Sequence, residues 1–121
     1  MELQEILTRF AQYTGLAGAA LEEQEPLCAA AMAELEHRRN QRPLTQGGKD
    51  LLHAAAAAMA CRRHLLLCVT AGGSLTVGDA RVGEGGPVQT AQALEAEALA
   101  AASPWLRPEV VFRRTEGWDG L

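Results

Sequence analysis

Four side chains able to do chemistry fall on one stretch of this chain: His53, Cys61, His64 and Cys68. Cys61, His64 and Cys68 are three and four residues apart, a spacing that stacks side chains on one helical face, and zinc accepts both thiolate and imidazole. Three ligands on one helix still leave a tetrahedral ion short of a fourth, which Cys28 or His53 would have to supply. Thiol catalysis would need a depressed thiol pKa, a base in reach and a donor for the developing oxyanion, and a helix interior offers no free N–H for that last role. The spacing therefore favours packing, with free cysteine acting as a small buried hydrophobe. No metal, cofactor or catalytic residue is assigned, and the chain is expected not to be an enzyme.

Other candidates weaken in the same way. The segment VGEGGPV, residues 82–88, lacks the Gly-Lys-Ser/Thr ending of a phosphate loop and the third glycine of a dinucleotide fingerprint. Glu22, Glu23 and Glu25 suit the first turn of a helix, and Glu95 and Glu97 are two apart and diverge. His37, Arg38, Arg39, Asn40 and Gln41 are read as a solvated helix end matched to the dipole, with a patch for acidic groups as the alternative.

The elements that carry these residues follow from periodicity. Leu3, Ile6, Leu7, Phe10 and Tyr13 predict an amphipathic helix over 2–14, broken by Gly15 and Gly18. A second helix starts near Pro26 with a seam of Leu27, Ala31 and Leu35. Thr45, Gly47 and Gly48 read as a loop into a third helix over 50–69. Leu51, Leu52, Ala55, Met59, Leu66 and Val69 lie on one side of it, and His53, Ala57, Cys61, His64 and Cys68 on the other. Neither side resembles a solvent face, so this helix should sit centrally.

Residues 74–83 predict a β-hairpin turning at Gly78-Asp79, with Leu75 and Val77 on its first arm. Arms this short are marginal alone and need support from the helices or another chain. A fourth helix is expected over 88–102, buried through Val88, Ala91, Leu94, Ala98 and Ala102, and a short strand over 110–115 ending in Arg113 and Arg114. The fold class is thus mainly α, about four helices with a hairpin and a possible third strand. One domain over 1–116 and a tail at 117–121 complete it.

Composition narrows the function classes. Of 121 residues, 48% are hydrophobic and only 4% aromatic, so Leu, Val and Ala must build a closely packed core. A net charge of −4 argues against a general nucleic-acid binder. MELQEILTRF lacks the features of an export signal, and Arg62 and Arg63 interrupt the only candidate for a bilayer span. A cytoplasmic chain with reduced cysteines is the expectation.

Arg62 falls inside the apolar stripe of the third helix. Its head must reach water, or pair with a carboxylate across an interface. Interface candidates are therefore Arg62, Arg63, Leu75, Val77, Arg113 and Arg114.

The long alanine-rich helix at 51–69, TVGDARV at 76–82 and ALEAEALAAASPWL at 93–106 together resemble small head-to-tail connector proteins of tailed bacteriophages and prophages. That resemblance implies a non-enzymatic virion-assembly subunit that forms homo-oligomers and docks on a portal or tail protein. A cytosolic adaptor or regulatory domain that binds a protein partner is the alternative.

Overall fold

The computed structural model describes residues 1–72 and 86–108. Its elements are α1 (Leu3–Thr14), α2 (Gly18–Glu22), α3 (Glu25–His37), α4 (Gln46–Gly72), α5 (Pro87–Ala102) and a 3₁₀ turn at Ser103–Trp105.

The stripe read from α1 is the one it buries, with Ile6 and Phe10 fully enclosed. Gly15 ends the helix in the left-handed region at φ 79°, and its N–H donates to the Ala11 carbonyl at 2.7 Å. Gly18 does not simply prolong the break, because it opens α2. Five residues carry too little periodicity to announce a helix. α3 starts one residue before Pro26 and buries Cys28, Ala31 and Leu35.

α4 is the axis of the molecule, 27 residues and so about 40 Å long. Every residue from Ala55 to Cys61 is buried, which happens only when a helix has neighbours all round. Those neighbours are α1, α3 and α5. Alanine at five of the seven positions lets them approach without leaving voids. The enclosure fails towards both ends, where Leu51 is 36% and Leu67 is 56% exposed. Glu2 meets His53 and Phe10 meets His64, so α1 runs in the direction of α4. Arg62 meets Glu95 and Gly48 meets Trp105, so α5 runs against it.

α4 begins four residues earlier than expected. Thr45 is its cap: the hydroxyl accepts the Gly48 N–H at 2.9 Å, and the Thr45 carbonyl accepts the Lys49 N–H at 2.9 Å. The two glycines that read as a loop form the first turn. Gly48 is there for closeness, since a Cβ on it would lie 2.5 Å from Trp105 Cε2. The Trp105 indole N–H donates to the Pro43 carbonyl at 3.2 Å, which fixes the ring against that turn.

The fold class needs correction. The mainly α expectation agrees with the helical bundle observed, but the expected hairpin and third strand are unsupported, because no strand occurs among the described residues. The one β-type pairing there is an isolated antiparallel bridge between Arg39 and Leu106. α1, α3 and α5 pack around α4, so this core needs no sheet, and alternation over four residues is too short a pattern to specify a strand. The segments 74–83, 110–115 and 117–121 lie outside the described residues.

Candidate functional site

His53 is the most confined of the polar side chains, 2% exposed within α4. Its Nε2 accepts the Glu2 backbone N–H at 3.0 Å, which requires the neutral ring with the proton on Nδ1. Burial pushes the His53 pKa below its ordinary value, the nearby N-terminal amine adds to that, and Glu2, Glu5 and Asp50 oppose it. The Glu2 carboxylate stands 3.7 Å from Nε2 and 3.8 Å from Lys49 Nζ. His53 thus fastens the start of α1 to α4.

Of the remaining thiols and imidazole, only His64 and Cys68 come together. Burial, with help from the Glu25 charge, pushes the Cys28 thiol up to about 11, and burial raises Cys61. Neither is a ready nucleophile at neutral pH. His64 packs edge-on to Phe10 with ring centroids 5.8 Å apart. Its Nε2 is 3.7 Å from the exposed Cys68 sulfur. Among the described residues no three His, Cys, Asp or Glu side chains gather as a metal would need.

Arg62 finds its carboxylate inside the chain. Its Nε donates to Glu95 Oε1 of α5 at 2.6 Å, and both side chains are largely shielded. The anomaly inside the apolar stripe is answered by α5, so it gives no reason to invoke a neighbouring subunit. Arg63 likewise donates to Glu34 of α3 at 2.6 Å. Leu75, Val77, Arg113 and Arg114 lie outside the described residues.

The cluster after α3, read as a solvated end, is a clasp on the far end of the chain. The Arg38 carbonyl accepts the Arg107 N–H at 2.8 Å, and the Asn40 N–H donates to the Trp105 carbonyl at 3.1 Å. Asn40 Nδ2 donates to the Pro104 carbonyl at 2.9 Å, while Oδ1 accepts the Arg42 N–H at 2.9 Å. Arg39 Nε donates to the Trp105 carbonyl at 3.2 Å, and its Nη2 to the Arg42 carbonyl at 2.7 Å. Arg107 in turn donates to the His37 carbonyl. These partners are backbone carbonyls, which carry no sequence signature, and only the turn-forming Asn40 hinted at a structured end.

The clasp gathers Arg38, Arg39, Arg42 and Arg107 at the C-terminal end of α3, beside the N-terminus of α4. The opposite end of α3 carries Glu22, Glu23 and Glu25, all exposed. Glu22 and Glu25 border a surface groove of about 690 Å³ between α1, α2 and the start of α3. Leu7 and Leu21 give it apolar walls, and Gln4 and Gln12 are further polar lining. The arrangement separates charge along one molecule.

No family model, curated protein or solved structure matches this chain. By length and composition Gln46–Val69 could cross a membrane, with mean hydropathy 1.2. Half of that apolar window is buried inside the bundle, as befits its central helix.

Proposed function

We propose that this chain is a non-enzymatic assembly subunit that associates with copies of itself and docks on a larger protein. Following its resemblance, it acts as a head-to-tail connector with a portal or tail protein as partner. The observation that carries the reading is the polarity of α3, with exposed carboxylates at its start and an arginine clasp at its finish. A helix of 13 residues separates the two ends by about 20 Å. That exceeds a Debye length of about 8 Å at physiological salt, so they do little to neutralise each other within one molecule. Opposite charges held apart on one chain are available to pair with those of another copy.

Sedimentation of the purified full chain over a range of concentrations tests this. The sedimentation-average mass should rise with concentration and fall back as salt is raised. A strict monomer at every concentration and at low salt would sink the self-association, and coding neighbours unrelated to capsid, portal or tail would sink the connector role.

A further inference from the structure

We infer that the two ends of α3 are the two halves of one heterologous interface: the Arg42 corner of the clasp in one copy seats in the Glu22–Glu25 groove of the next. This rests on the self-association proposed above and adds its geometry.

The plug is an exposed, arginine-bearing corner. Arg42 is exposed, and its backbone is held from both sides, the N–H by Asn40 Oδ1 and the carbonyl by Arg39 Nη2. A side chain on a fixed backbone loses less freedom on docking than one on a loose loop. Arg107 is held at the same end of α3 by its backbone bond to Arg38, with its guanidinium on the His37 carbonyl. The N-terminus of α4, whose peptide dipoles carry partial positive charge, lies at the same end through the contact of Gly48 with Trp105. Carboxylates near this end are already engaged: Glu34 with Arg63, Glu36 with the Met1 amine at 3.6 Å, and Asp50 with Gln46 Nε2 at 3.1 Å.

The socket has the complementary character. It is concave, has apolar walls for the arginine stem, and has two carboxylates at its border, neither of which pairs with a cation among the described residues. Planar guanidinium against carboxylate is the strongest of the surface ion-pair geometries. Plug and socket are different patches, so repeated head-to-tail the contact propagates until it closes a ring or continues as a filament.

Charge reversal tests the pairing directly. One variant carries Glu22→Lys with Glu25→Lys, the other Arg42→Glu, and circular dichroism confirms that each keeps its helix content. Each variant alone should self-associate roughly tenfold more weakly than wild type at low salt, the range of a close charge pair. An equimolar mixture should regain wild-type association, because each like-charged contact is replaced by an opposite-charged one. If wild type associates and both folded variants associate equally well, or the mixture does not recover, this interface is wrong while self-association stands. If wild type itself never associates, both fall together.

Discussion

His53 shows how a side chain with catalytic credentials is consumed by architecture. Its neutral Nε2 is spent accepting the Glu2 N–H, a donor at the N-terminus of α1 that would otherwise lack a partner in its own helix. The cost of charging it follows from its burial. Because the folded pKa lies below the ordinary value of 6.5, the unfolded chain takes up the proton first as pH falls. The contribution is therefore fully retained above the ordinary value and is lost as pH drops from there through the depressed folded value. The melting temperature should fall between pH 7.5 and pH 5, and a His53→Gln variant should show a shallower fall over the same window. Equal slopes in the two proteins would remove His53 as the source. Sequence showed that His53 faced inward on α4, but it could not show the acceptor role, since the donor is a backbone group 51 residues away. Arg62 has the same lesson: its place in an apolar stripe was legible, and its partner Glu95 became visible only once α5 was laid against α4.

Helices were legible where burial repeats with helical period, and obscure where backbone geometry decides. The stripe of α1 and the central place of α4 follow from apolar spacing, whereas the start of α4 depends on a threonine cap and on a glycine chosen for contact. Gly47 and Gly48 look alike in sequence and should behave oppositely on substitution. A methyl on Gly47 meets nothing closer than Thr45 Oγ1 at 4.0 Å, so Gly47→Ala should stabilise by roughly 0.5–1 kcal/mol through helix propensity. A methyl on Gly48 would strike the Trp105 ring at 2.5 Å. Gly48→Ala should cost about 1–3 kcal/mol by overpacking despite the same gain in propensity. Thermal melts of the two variants give the comparison, and a stabilised Gly48→Ala protein would mean that Trp105 does not lie on this turn. The hairpin expectation has no support among the described residues, and it rested on an alternation of only four residues per arm.

At the scale of the molecule, α4 is the hub and the clasp is the closure. α1, α3 and α5 each pack on α4, so no pair of helices can leave without exposing the Ala55–Cys61 segment. The clasp adds what a hub alone lacks, a direct tie between the end of α3 and the end of α5, which are more than 60 residues apart in sequence. Asn40 is its most economical member, since one amide group serves Pro104 and Arg42 together. Its loss strands a carbonyl and an N–H that lie close enough to the surface for water to compensate in part, so Asn40→Ala should cost about 1–2 kcal/mol. Because every helix shares α4, that loss should lower a single cooperative transition. Amide exchange then separates closure from hub. In Asn40→Ala the amides of Trp105 and Leu106 should exchange faster through local opening, while those of Ala55–Cys61 should lose only the protection that tracks global stability. If instead the centre of α4 lost more protection than the clasp, the two ends of the chain would be coupled through the core and not by Asn40.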